Sequence, residues 1–401
     1  MRTTYGRFGV LLAALFVAPF PVGLVPGTGP LAAAIHRGWD WAVARFAEHV
    51  LRIDPPIFQP TGSGDTTWHW VQAALILTLA AAGAALWTAI DRAPRPRLTA
   101  ALHTYLRYFV AANMLLYGFA KVYAIQFRTP WIGRYDQSIG EMSPMGLLWT
   151  FMGHSRAYTI FAGVAEVVGG VLLLWRRTYV LGAFVVIAVM TNVVLLNFCY
   201  DVPVKLFSTE LLVMAIAIAW PQLRRVVGAA LGYRVDDVPP RPRGSALGER
   251  LRFVTKLAML GVLAMIPLYY RAFDRSLERR PTALDGVWTV ERMRIDGVDK
   301  AALFTDDARW RKLIVCSWGT MVRRATDRRQ MLGRAEVSDR ELTIVRGFYR
   351  QSLPYWRVDA THIIVEGTLD GAQLHLELAL DDPPLLRTRG FHWVSEAPFH
   401  R

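Results

Sequence analysis

Residues 157–175 read AYTIFAGVAEVVGGVLLLW, nineteen residues with a single charge, Glu166, near the middle. A helix needs about 20 mainly apolar residues to cross a bilayer, and the run has that length. A charge at bilayer depth costs roughly 2.5–3.5 kcal/mol on insertion scales, so Glu166 is expected to face protein or water. Ala162, Glu166 and Gly170 share a helical face, with Gly163 and Gly169 beside it. Small residues let a second helix approach closely. The stretch therefore reads as one helix of a transmembrane bundle, with Glu166 turned inward.

Six further apolar stretches surround it, at 8–25, 69–90, 103–125, 178–197, 204–221 and 253–270. The first follows Arg2 and Arg7 and resembles a leader, but Pro19 would stand immediately after a cleavage at Ala18. It is read as a retained helix, which gives about seven; a cleaved leader leaves six. The composition agrees, with 53% hydrophobic residues, 19% charged and a mean hydropathy of +0.25. These values exclude a disordered chain, and two cysteines exclude a disulfide scaffold.

The net charge of +14 raises the question of nucleic acid. Residues 1–281 hold 28 Lys and Arg against 15 Asp and Glu, whereas residues 282–401 hold 18 against 17. The excess lies in the apolar part, which points to a membrane domain and not to nucleic acid. With the N-terminus inside, the inner segments 1–7, 91–100, 176–177 and 222–252 carry 14 Lys and Arg. The outer loops 26–68, 126–156 and 198–203 carry 6 in a longer stretch of chain. This asymmetry predicts a cytoplasmic N-terminus and, after seven helices, an outer C-terminal region. In the first outer loop, Trp39, Val43, Phe46, Val50 and Ile53 fall on one helical face. That predicts a short helix lying on the outer leaflet, or a cap over the bundle.

Other polar residues sit within the apolar stretches. Asn113, Tyr117 and Lys121 form a stripe at four-residue spacing, Asn192 and Asn197 lie on the fifth helix, and Asp201, Lys205 and Glu210 open the sixth. Together with Glu166 these are the candidate ligand-binding residues. They form either a binding or redox site or an interhelical ion-pair lock, with Glu166 or Glu210 as partner to Lys121.

After residue 281 the period changes. Leu374, Leu376, Leu378 and Leu380 alternate with Gln373, His375 and Glu377, as in a half-buried strand. Asp370-Gly371 between that run and 361–368 is a hairpin signal. Further strands are expected near 287–293, 311–316, 319–325, 329–336, 340–346 and 355–359, which suggests an antiparallel barrel or sandwich. The expected organisation is a bundle over 1–270, with a core at about 101–221, a linker at 271–281 and an extracytoplasmic β domain at 282–401. Gly286-Val287-Trp288, with Arg387 and Arg389 near the end, is similar to the lipocalin pattern. That resemblance implies a Trp closing the barrel base under a late Arg, in a barrel that is either filled or a ligand cup.

No phosphate loop, haem-attachment motif or helical metal-ligand pair is present in the sequence. Residues 101–215 resemble the DoxX/DoxD-like bacterial membrane proteins. The resemblance rests on Arg107-Tyr108, Tyr117-Gly118-Phe119-Ala120-Lys121, Gln126-Phe127 and Ser143-Pro144-Met145-Gly146-Leu147-Leu148-Trp149. It continues through Ala165-Glu166, Gly169-Gly170, Arg177-Thr178, Asn192 and the run from Asn197 to Lys205. Gly62–Thr67 and the ending Phe391-His392-Trp393, Pro398-Phe399, Arg401 are similar to the large members, which carry a C-terminal β region.

The resemblance implies an inner-membrane protein that binds a quinone or related isoprenoid. Such a protein supports redox chemistry with a partner subunit, as an oxidoreductase or a subunit of one. A non-enzymatic scaffold or lipid-binding protein is the alternative. The Tyr-Gly-x-x-Lys helix followed by an outer β domain is also similar to the vitamin K-dependent carboxylase, which implies a quinol-using enzyme.

Overall fold

The structure, a computed structural model, describes residues 4–22, 25, 27–91, 93, 95–234, 245–277, 282–316 and 319–399. The chain forms two compact units. One holds Met1–Arg128 and Pro144–Arg271, the other Thr129–Ser143 and Ala272–Arg401.

The first unit is helical. Its elements are α1 (Thr4–Val17), α2 (Gly29–Phe46), α3 (Thr67–Ile90) and α4 (Pro96–Val122). Beyond α5 (Ile132–Tyr135), which belongs to the second unit, follow α6 (Pro144–His154), α7 (Arg156–Leu174), α8 (Tyr179–Cys199), α9 (Lys205–Ala230) and α10 (Ala246–Leu277), whose last turns from Ala272 fall in the second unit. Five helices among the described residues are long and apolar enough to cross a membrane: α3, α7, α8, the first 19 residues of α9, and α10 from Ala246 to Phe273.

Two of the expected stretches differ. The first is helical only to Val17, because Pro19 and Pro21 cannot donate backbone bonds and push the residues before them out of helical geometry. Its 14 residues span about 21 Å, short of the roughly 30 Å hydrocarbon core. The third, α4, has 27 residues but carries Arg97, His103, Arg107, Asn113 and Lys121 along its length. Helix α10 also runs through Leu277, into the segment expected as a linker; 278–281 lie outside the described residues.

The apolar face foreseen around Trp39, Val43 and Phe46 packs against Trp68, Val71 and Leu75 of α3, while Val50 and Ile53 remain exposed. The main bundle core joins Val110, Met114 and Leu115 of α4 to Leu173 and Leu174 of α7, Val186 of α8 and Leu211 and Ile218 of α9. Arg107 is buried and donates through Nε and Nη2 to the Leu173 carbonyl at 3.2 and 2.8 Å, its guanidinium 4.5 Å from the Tyr179 ring centre. It satisfies a carbonyl that the end of α7 leaves without a helical partner.

The second unit is a closed antiparallel β-barrel. Its strands are β1 (Gly286–Ile295), β2 (Val298–Asp299), β3 (Trp310–Cys316), β4 (Gly319–Arg324), β5 (Arg329–Val337), β6 (Glu341–Arg346), β7 (Tyr349–Arg357), β8 (His362–Leu369) and β9 (Ala372–Leu380). β1 and β3 to β9 pair in sequence order and β9 returns to β1, with Trp288 opposite Leu380 and Ile295 opposite Leu374. β2 extends β1 as a short hairpin. Asp370 and Gly371 both have positive φ, 50° and 90°, as the tightest hairpin turns require.

β7 begins at Tyr349, earlier than the expected 355, because Pro354 is a corner and not a strand end. Up to Pro354 the strand pairs with β6, and from Tyr355 it pairs with β8. A proline fits where the ladder changes partner. Gly333 does the same on β5, between β4 and β6. There a Cβ would lie 2.7 Å from the Val345 carbonyl oxygen.

Inward side chains fill the barrel, among them Trp288, Met293, Leu313, Val322, Leu342 and Leu376. Trp288 donates its indole N–H to the Leu284 carbonyl at 2.9 Å. The late arginines do not take the lipocalin-like role: Arg387 is exposed and Arg389 lies over Phe399 at 4.1 Å.

On the outside of the barrel, Val287, Ile314 and Met321 are covered by Trp131 and Ile132, from the segment between α4 and α6. Asp136 of that segment accepts from Lys312 at 2.6 Å, and Glu141 accepts from Arg323 and Arg329 at 3.1 and 2.7 Å. Burial alone would depress the Lys312 ammonium, but its bonds to Asp136 and Asp381 outweigh that and hold it above its ordinary value. Cys199 and Cys316 are not joined by a disulfide, and the buried Cys316 thiol donates to the Gly319 carbonyl at 3.4 Å.

Candidate functional site

Helices α4 and α7 meet at two glycines. A Cβ on Gly163 would lie 2.6 Å from the Gly118 carbonyl oxygen, and one on Gly118 would lie 2.9 Å from that of Gly163. Only glycine permits this approach. Lys121, one turn after Gly118, extends along α7 and donates from Nζ to Glu166 Oε2 at 2.8 Å. The two side chains are 8% and 3% exposed. The close glycine contact thus brings the one charge of the opening stretch to the one lysine of the polar stripe, out of contact with solvent.

The pair borders a cavity of about 580 Å³. That size lies within the range of small-molecule sites, about 300–1,000 Å³. Lys121 and Glu166 are the only charged residues among those lining it. Its apolar wall includes Phe127, Trp149, Phe161 and Phe207, and its polar groups include Tyr117, Gln126, Asn192, Asn197 and Ser208. Asn197 is buried and donates to Ser208 Oγ at 3.0 Å, which joins α8 to α9 across the wall.

Of the residues singled out in sequence, Tyr117, Lys121, Glu166, Asn192 and Asn197 line this cavity. The others are placed elsewhere. Asn113 donates to the Phe109 carbonyl of its own helix at 2.9 Å. Asp201 and Lys205 form an ion pair at 2.7 Å at the start of α9. Glu210 lines a second cavity.

Sequence reading missed Asp65. Its two carboxylate oxygens accept the backbone N–H groups of Lys205 and Leu206 at 2.8 and 2.9 Å, capping α9 from a segment 140 residues away. Gly64 adds a backbone bond to the Pro203 carbonyl at 2.7 Å. Ser63-Gly64-Asp65 has capping chemistry, but caps are sought in the residues just before a helix, and this one comes from a different part of the chain. Gln126 and Trp149 were legible only as parts of resemblance motifs.

No family model and no solved structure matches the chain. Over 133 residues it is 36% identical to a protein of Bacillus subtilis (strain 168) whose name is uncharacterized protein YwoB, a match that takes in 33% of this chain and 83% of that protein. At that identity and coverage, the chain belongs to the same family as the Bacillus protein YwoB.

Proposed function

We propose that the chain is a DoxX-like integral membrane protein whose bundle cavity at Lys121 and Glu166 takes a quinone or a related isoprenoid. The observation that carries this reading is the 580 Å³ cavity with an ion pair as its only charged lining. An apolar ring and tail suit the aromatic and aliphatic wall. Ring oxygens need a few directed polar partners, and the ammonium of Lys121 and the amide of Asn192 are donors on that wall. Redox chemistry at such a ring requires a partner that supplies or removes electrons.

We also propose a bacterial inner-membrane location with the β-barrel on the periplasmic side. This rests on the arginine asymmetry of the loops. This reading takes α4, with its 27 residues, as a span beside the five long apolar helices; the six together return the chain to the side from which α3 started, whether or not α1 crosses.

The test is to purify the full chain in mild detergent and identify extracted small molecules by mass spectrometry. Quinone near one per chain is expected, and Lys121→Met should lower its retention. Protein that carries only bulk lipid and binds no added quinone would overturn the reading in favour of a scaffold.

A further inference from the structure

The second cavity, about 630 Å³, lies among α1, α2, the segment before α3, α3, α4 and α9. Glu210 is the only carboxylate or permanently charged residue among those lining it. No ion pair or hydrogen bond to Glu210 is formed among the described residues. Lys121 and Lys205 are engaged elsewhere, Lys121 with Glu166 and Lys205 with Asp201 and Asp65. The same cavity is lined by Phe16, Trp39, Phe58, Tyr117 and Phe207, contributed by four helices and a loop.

Glu210 is half-buried, and a carboxylate there is costly without a countercharge. Aromatic faces carry negative potential and attract organic cations, above all alkylated ammonium. A small inorganic cation instead calls for a shell of several oxygens, carboxylates among them; Glu210 is the only carboxylate on this wall, beside the neutral side chains of Gln59, Ser63 and Gln72. We infer that this cavity binds an organic ammonium group, its charge on Glu210 and its methyl or methylene groups against the aromatic rings. Two sources present that chemistry, the ethanolamine or choline head group of a lipid and a free small amine. The two cavities share Tyr117 and Phe207, but this site rests on Glu210 and not on the quinone reading, which concerns Lys121 and Glu166.

The full chain, purified and exchanged into nanodiscs of phosphatidylglycerol, provides the test. Lipid extracts are analysed for retained aminolipid, and binding is measured by calorimetry for choline and for its uncharged tert-butyl isostere. Either retained aminolipid or saturable choline binding is expected in the wild type. The isostere should bind more weakly than choline by about tenfold or more, the worth of one charge-assisted contact. Glu210→Gln should lose aminolipid retention or weaken choline by a similar factor, with the quinone content of the preparation unchanged.

Adding phosphatidylethanolamine to the nanodiscs separates the sources. Competition with choline identifies a lipid head group, and unchanged choline affinity identifies a free amine; either supports the proposal. Absence of both retained aminolipid and choline binding overturns it, as does equal binding of choline and the isostere, or undiminished ammonium binding by Glu210→Gln. The comparison of choline with its isostere uses only the wild-type protein, so it stands even if the variant does not fold.

Discussion

Lys121 and Glu166 show what a buried charge needs from its surroundings. Each is costly alone when buried, and each is made tolerable by the other at 2.8 Å. Removing one partner leaves the second unpaired. Lys121→Met or Glu166→Gln should therefore each destabilise the bundle by about 3–5 kcal/mol, while the double variant recovers much of the loss. A double-mutant cycle on thermal unfolding in detergent measures this, and additive single effects would show that the pair is not coupled. Trp288 illustrates the same rule for an apolar side chain. It is 1% exposed and its indole N–H is satisfied by Leu284. Trp288→Ala should destabilise the barrel by about 3–5 kcal/mol, read by chemical unfolding followed through β-sheet circular dichroism. A loss below a tenth of that range would contradict the packed interior.

At the scale of elements, structure depends on where one segment meets another. Gly163 lets α7 touch α4, and a side chain there must push the helices apart. Gly163→Val should cost about 1–3 kcal/mol from overpacking alone, with the Lys121–Glu166 pair loosened as a consequence. Measured by thermal unfolding, an unchanged melting temperature would rule out the close contact. The cap on α9 is a smaller effect. Asp65→Ala should cost about 0.5–2 kcal/mol and speed amide exchange at Leu206, where the freed N–H loses its acceptor.

The 129–143 segment on the barrel has an electrostatic component with a definite pH dependence. Lys312 is held above its ordinary value, so its contribution is complete at lower pH and fades as pH rises through the higher folded value. The stability gap between wild type and Lys312→Met should therefore narrow on strongly alkaline titration. A gap independent of pH would sink that assignment.

For the whole molecule, the sidedness of the β-barrel is the first property to check. A periplasm-dependent reporter fused after Arg401 should be active and one fused near Arg95 silent, since Arg95 lies in the arginine-rich turn between α3 and α4. The opposite pattern would reverse the orientation. The sequence by itself determined the class of each region, because hydrophobic length and hydrophobic period are local properties. The nineteen residues from 157 to 175 announced a helix, their small residues announced close packing, and the alternating leucines from 374 to 380 announced a strand. Asp370-Gly371 fixed a hairpin for the same reason, since a turn needs only its own residues. Barrel closure, the pairing of Lys121 with Glu166 and not Glu210, the capping of α9 by Asp65 and the docking of 129–143 onto β3 to β5 were decided only in the tertiary structure. Each joins groups far apart in sequence, and a charge or donor selects its partner by distance in space, which the packing of glycines, prolines and apolar faces sets first.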